Sequence, residues 1–506
     1  MRRKRRRRPT ATPEQLVKPR LEQLFNPYAP IEVLSEDDLD LIHDGSMRIL
    51  EDIGLEVLNE RGLELYEDAG ATVDWDLQRV FLDRERLMSW LQTVPSEFTI
   101  HSRNPERNCL VGRNAVNFST VASAPNSSDL EGGRRTGNFA DYCNFLRLAQ
   151  DFDIIGLLSG YPVEPIDIPP DTRHLDATLA ALTLTDRAFF CYCLGGGRVN
   201  DGIEMAAIAR GVDRETLKKE PSIITVVNTN SPLRVDGSML DGLIEMAENG
   251  QPTIVTPFTL AGAMCPITIA GALTQQNAEA LGVIALSQIV NPGAPMAYGG
   301  FTSNADMRTG APAFGTPEYT RAALASGQLA RRYNLPFRSS NTNASNCVDA
   351  QAAWESQMSL WGAVMGHAHI VKHAAGWLEG GLCASFEKFI IDIDMLQMMA
   401  EILKPIEVNE STLALDAIRE AGHGGHFFGT SQTLANYTTA FYEPIVSDWS
   451  NYETWVEKGE KTAYQRANKI YRQCLKDYQE PPIDEQVRIS LEKYVDERRR
   501  EIESTR

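Results

Sequence analysis

Residues 223–257 read IITVVNTNSPLRVDGSMLDGLIEMAENGQPTIVTP. Two short β-rich runs, 223–228 and 253–257, enclose a polar turn and a helical stretch. A strand, a loop and a covering helix that leads into a second strand is the repeating unit of a parallel sheet. Working outward, further runs stand at 116–121, 154–159, 188–193, 295–298, 336–339 and 370–376. Their starts recur about every 30 to 45 residues, and eight such units over roughly 260 residues match a (β/α)8 TIM barrel in count and size. A doubly wound open sheet is the alternative.

In a barrel the chemistry belongs at the C-terminal ends of the strands. Those ends read Ser159-Gly160-Tyr161, Gly195-Gly196-Gly197, Asn228-Thr229-Asn230-Ser231-Pro232, Thr256-Pro257-Phe258, Tyr298-Gly299-Gly300-Phe301, Ser339-Ser340-Asn341 and Gly376-Trp377. Around the barrel, assigned to 111–383, the patterning predicts a helical extension over 31–110 and a helical region over 384–506. That last region is broken by Gly422-His423-Gly424-Gly425-His426. Residues 1–30 are expected to be a basic, disordered tail.

The chain has 506 residues and a formal net charge of -19, although seven basic residues fill positions 2–8. A body this acidic repels phosphate backbones, so nucleic acid is not an expected partner. No stretch has the length and apolar character of a signal peptide or a membrane span, which predicts a cytoplasmic protein. Eight cysteines without a C-x-x-C pair make no disulfide framework. Cys191 and Cys193 are expected as small buried hydrophobes.

The simplest signatures of nucleotide hydrolysis, zinc proteolysis and serine hydrolysis are absent. Gly195-Gly196-Gly197-Arg198 could cradle a phosphate, but a tight turn is the preferred reading. His367, His369 and His373 would bring two rings to one face if helical, yet no Cys or carboxylate completes a metal set nearby, and no metal site is assigned. His423 and His426 suit either a lid or a solvent-facing loop.

Three segments, 256–279 (TPFTLAGAMCPITIAGALTQQNAE), 293–318 (GAPMAYGGFTSNADMRTGAPAFGTPE) and 374–394 (AAGWLEGGLCASFEKFIIDID), resemble the trimethylamine methyltransferase family. The likeness runs collinearly over roughly residues 30–500. It implies a barrel enzyme that moves a methyl group from a methylated amine to the Co(I) of a separate corrinoid protein, with no tightly bound cofactor of its own and a homo-oligomeric state. Members acting on trimethylamine carry pyrrolysine just before a D-x-Q-A motif. Here the matching segment is Asn343-Ala344-Ser345-Asn346-Cys347-Val348-Asp349-Ala350-Gln351-Ala352, with Cys347 at or next to the pyrrolysine position. Members without pyrrolysine act on quaternary amines such as glycine betaine, which are already cationic and leave as neutral amines.

A quaternary ammonium donates no hydrogen bond and is held by aromatic faces and charge. Tyr161, Phe258, Tyr298, Phe301 and Trp377 are the aromatic candidates for substrate binding, with Glu355 nearby in the family segment. Asp349 and Gln351 are the expected orienting groups, and Cys347 is either a methyl-accepting thiolate or a small lining residue. A folate-type methyl acceptor, or a barrel that binds a betaine without turnover, are the competing readings.

Overall fold

The computed structural model describes residues 22–504. The basic run Arg2–Arg8 lies outside them. Eight parallel strands form the centre: β1 (Ala115–Thr120), β2 (Ile155–Leu157), β3 (Phe189–Phe190), β4 (Ile223–Thr229), β5 (Thr253–Pro257), β6 (Met296–Gly299), β7 (Phe337–Ser340) and β8 (Ile370–Ala375). From β3 to β8 each strand pairs with the next in the chain, and β8 returns to β1 through Ile370↔Asn117. β1 pairs with β2, and β2 meets β3 through a Leu157↔Ala188 bridge. First and last strands being neighbours, the sheet is a closed TIM barrel and the open-sheet alternative falls.

Each strand is followed by its helix: α1 (Phe139–Asp151), α2 (Arg173–Leu184), α3 (Gly196–Arg210), α4 (Gly237–Glu248), α5 (Ile269–Val290), α6 (Pro317–Arg332), α7 (Ala350–Met365) and α8 (Phe386–Ile402). The final unit therefore runs past the boundary expected at 383.

Period-two alternation sends Val227 and Val255 outward to the helices and Ile224, Val226, Ile254, Ala297 and Ile370 inward. The inward set packs on Phe98, Ile100, Cys109 and Val111. These four belong to an antiparallel hairpin, Phe98–Ile100 with Cys109–Val111, which plugs the N-terminal end of the barrel. Leu24–Phe25 pair with Val116 and Ala115, so these two residues, expected within the 1–30 tail, are part of the fold.

The segment expected as a helical extension is mixed. Helices Glu36–Arg48, Glu60–Asp68 and Arg84–Leu91 share it with a small sheet of Leu55–Val57, Thr72–Asp74 and Arg79–Phe81. This unit covers α5, which explains why α5 is buried all round and has no polar face. At the other end, helix Ala463–Asp477 packs on α8, where Tyr471 stacks on Phe386 at 5.2 Å. Helix Glu485–Ser504 docks on α2 and α3 through Arg499–Asp176 and through Tyr494 and Arg498, both bonded to Asp201. Within the helical region expected over 384–506, helices Tyr452–Glu457 and Ala463–Asp477 are separated by a break at Gly459, whose φ is 95°.

Buried carboxylates on the helices fasten the loops at the strand ends. Glu279 of α5 accepts from Thr229 Oγ1, from Ser231 Oγ at 2.7 Å and from the Leu233 amide at 2.8 Å. Gln275 Nε2 adds a further bond at 2.8 Å. Glu279→Ala leaves these donors buried without an acceptor and should cost about 3–5 kcal/mol. Chemical denaturation should show that loss, and an unchanged midpoint would refute this role.

Candidate active site

The C-terminal mouth of the barrel stands above the apolar floor. Inward-facing residues here become polar: Ser119 and Ser159 share a hydrogen bond of 2.7 Å, Thr256 is buried with its hydroxyl unpartnered, and Asn228 at the end of β4 is exposed. Gly299 of β6 is required at this level, because a Cβ would stand 2.1 Å from Thr256 Oγ1 and 2.6 Å from the Val255 carbonyl.

Two aromatic groups flank the mouth. On one side Phe258 and Phe301 stack at 5.3 Å, and Phe314 and Trp377 join them, Trp377 standing 6.5 Å from Phe301 and 6.0 Å from Phe314. Three of the aromatic candidates thus come together. Tyr161 belongs to the second group, 4.3 Å from Tyr192, which is 5.3 Å from Phe190. Tyr298 joins neither: it points outward into the helical layer, where its hydroxyl accepts from Gln276 Nε2 of α5 at 3.1 Å.

Inside the barrel are two buried basic side chains that the sequence analysis did not single out. Arg338 of β7 donates Nη2 to Ser340 Oγ at 2.7 Å and lies 5.2 Å from the Phe301 ring centre, while its Nε and Nη1 find no partner. Lys372 of β8 places Nζ 4.4 Å from the Phe190 ring centre. Burial lowers Arg338 to about 10 and holds Lys372 well below its usual value. His373 follows in a bulge of β8 with φ 56°, a left-handed conformation that re-aims its ring toward Trp377 at 4.3 Å. Its Nδ1 meets Ser340 Oγ at 3.1 Å, and burial next to both cations keeps the imidazole neutral.

The loop between β7 and α7 forms the rim. Glu355 of α7 accepts from the Ala344 and Ser345 amides at 2.9 and 3.1 Å and from Gln351 Nε2 at 2.8 Å. Both residues thus order the loop from beneath. Asp349 caps α7 through the Ala352 amide and also accepts from the exposed Cys347 thiol at 3.2 Å. That contact raises the Cys347 pKa and lowers that of Asp349, the opposite of what a methyl-accepting thiolate requires.

The remaining motifs lie elsewhere. His369 accepts from the Phe337 amide through Nδ1 and donates Nε2 to the Arg113 carbonyl at 2.8 Å, and His367 bonds the Tyr28 carbonyl. They sit at the start of β8, not on a helix, and no cluster of three metal-ligating groups forms among the described residues. Gly195 opens α3 with φ 89° and bonds the Ser238 carbonyl, a tight turn. His423 and His426 are exposed. A cleft of 240 Å³ between α3 and the last helix is lined by Asp201, Glu204, Arg214 and Arg498, which pair with one another, and lies away from the mouth.

Residues 1–503 match the family model described as trimethylamine methyltransferase. The chain belongs to the trimethylamine methyltransferase family. A glycine betaine methyltransferase of Desulfitobacterium hafniense (strain Y51) is 37% identical over 93% of this chain and 98% of its own. A trimethylamine methyltransferase of the same species (strain DSM 10664 / DCB-2) is 29% identical over 92% and 93%, and one from Methanosarcina barkeri (strain Fusaro) 26% over 93% and 96%. As a member of this family the protein is a methyltransferase. No helix among the described residues is long and apolar enough to cross a membrane.

Arg338 and Lys372 stand in this sequence as basic residues inside apolar strand runs, Leu335-Pro336-Phe337-Arg338 and Ile370-Val371-Lys372. A cation at an inward position of a barrel strand is the signal that would have found them. For Cys347, alkylation by iodoacetamide near pH 8 should run several-fold faster in Asp349→Asn, which keeps the helix cap but removes the charge. Equal rates would show that Asp349 does not restrain the thiol.

Proposed function

We propose that this methyltransferase moves a methyl group from a quaternary amine of the betaine type to the Co(I) of a corrinoid protein. The observation that carries the reading is the aromatic group of Phe258, Phe301, Phe314 and Trp377 at the barrel mouth, next to a rim on which Cys347 is restrained by Asp349. Aromatic faces hold a cation that has no hydrogen to donate. A quaternary substrate needs no further activation to release a neutral amine, in keeping with a rim without an activated nucleophile. The similarity to a glycine betaine methyltransferase supports the same substrate class.

In this reading the protein acts by position and charge. The aromatic faces fix the ammonium, the loop ordered by Glu355 and Asp349 fixes the rim, and the mouth excludes water while the methyl group leaves for the acceptor. The corrinoid arrives on a separate protein, and the enzyme works in the cytoplasm. The segment 404–456 exposes Ile406, Phe428 and Phe441 at 89%, 86% and 86%, an apolar surface we assign to a homo-oligomer contact. Phe441→Asp should lower the mass seen by light scattering; an unchanged mass removes the segment from the contact.

The direct test mixes the protein with Co(I) cobalamin and a panel of quaternary and tertiary amines, and follows methylcobalamin by absorbance. Methylation from quaternary amines alone is expected, with Phe301→Leu lowering kcat/KM on the order of ten-fold. Silence with intact binding would favour a folate-type acceptor or a binding role.

A further inference from the structure

Arg338 and Lys372 are not explained by methyl transfer from a simple cation. Both are almost fully buried, at 2% and 5% exposure. Register places them together: Arg338 stands opposite Ile370, Lys372 opposite Ser340, and Ile370 faces the barrel interior. Neither has a carboxylate partner. Arg338 acts on Lys372, and Tyr319 is the titratable group felt by Arg338. Two guanidinium nitrogens of Arg338 lack any hydrogen-bond partner.

Burying a basic group without a carboxylate partner disfavours its charged form, and here two such groups face the interior of one barrel in an acidic protein, so an anion placed between them would restore both charges. The acids near the mouth are already committed: Glu279 and Glu355 to loop amides, Asp392 to Lys388 and the Gly376 amide, and Glu164 to the Tyr192 hydroxyl and Arg173. A ligand that carries an anionic group supplies the counter-charge these two side chains lack within the protein. A plain methylammonium compound would meet two like charges on entry, whereas a zwitterion brings its own counter-charge.

We propose that Arg338 and Lys372 form an anion site that receives the carboxylate of a zwitterionic quaternary amine, with the ammonium directed to Phe258, Phe301 and Trp377. This rests on the reading that the mouth binds a quaternary amine, and it names the group by which the enzyme selects betaines over other methylated amines. Phe301 joins the two halves of the site, with the Arg338 guanidinium 5.2 Å from its ring and Phe258 stacked at 5.3 Å. A ligand whose charges are separated by a short alkyl link spans them.

Calorimetric titration with three probes separates the parts: glycine betaine, tetramethylammonium, which lacks the carboxylate, and 3,3-dimethylbutyrate, which has the same shape and carboxylate but no cation. The intact protein should bind glycine betaine at least about ten-fold more tightly than tetramethylammonium, and should bind 3,3-dimethylbutyrate. Arg338→Met and Lys372→Met should each weaken both carboxylate probes by about ten-fold or more and leave tetramethylammonium unchanged or tighter. Without ligand, both variants should melt at the same or a higher temperature than the parent, because an uncompensated charge is removed. If either variant folds poorly, uncharged 3,3-dimethylbutanol against 3,3-dimethylbutyrate on the parent protein reads the anion site alone.

Unchanged affinity for glycine betaine in both folded variants would overturn the proposal, as would equal binding of the butanol and butyrate. Methyl transfer from glycine betaine with no effect of either substitution would sink the anion site and keep the activity. Loss of 3,3-dimethylbutyrate binding in the variants, with no methyl transfer from any amine, would keep the anion site and sink the activity.

Discussion

The mouth of this barrel depends on one arrangement: carboxylates rooted in the covering helices accept the backbone amides of the strand-end loops. A loop turned into a barrel mouth buries N–H groups that no sheet ladder can satisfy. Glu279 serves the β4 loop, Glu355 the β7 loop and Asp392 the β8 loop through the Gly376 amide. Each acid comes from a helix packed behind the sheet, so the loops are held by the rigid part of the fold. Asp392 is itself paired with the buried Lys388, which also donates to Ser356 at 2.9 Å.

This arrangement sets the charge of the interior. With these acids turned to the loops, the barrel interior holds two basic side chains, Arg338 and Lys372, and a neutral imidazole, His373, above an apolar floor. The chain as a whole carries -19, yet no carboxylate pairs with these two basic side chains. Aromatic rings take the place of counter-ions: Phe301 under Arg338, Phe190 under Lys372. Stacking of this kind eases a buried charge without cancelling it, which leaves the site ready for an anion.

The fold was legible because the strand runs recur at barrel spacing and alternate cleanly. All eight expected runs overlap observed strands, and 253–257 coincides with β5. The N-terminal unit was less legible, since strands of three residues such as Leu55–Val57 give no periodicity to read. Of the site, Phe258, Phe301 and Trp377 could be named from strand ends, but Tyr298 could not be separated from them: its position is right, and only the direction of its side chain sends it to Gln276. Arg338, Lys372 and Phe314 escaped notice for related reasons. The first two lie inside strands instead of at their ends, and Phe314 comes from the loop before α6 and reaches the mouth by packing on Trp377. The resemblance supplied the chemistry that patterning could not, while the cause of selectivity lies in side-chain direction.

Aromatic faces at one end and Arg338 and Lys372 at the other would read the two ends of one zwitterion. A crystal structure with glycine betaine bound tests it most directly. Carboxylate oxygens are expected at about 2.7–3.2 Å from Arg338 and Lys372 nitrogens, with the trimethylammonium against Phe258, Phe301 and Trp377. A ligand bound with its carboxylate elsewhere, leaving both cations untouched, would contradict it.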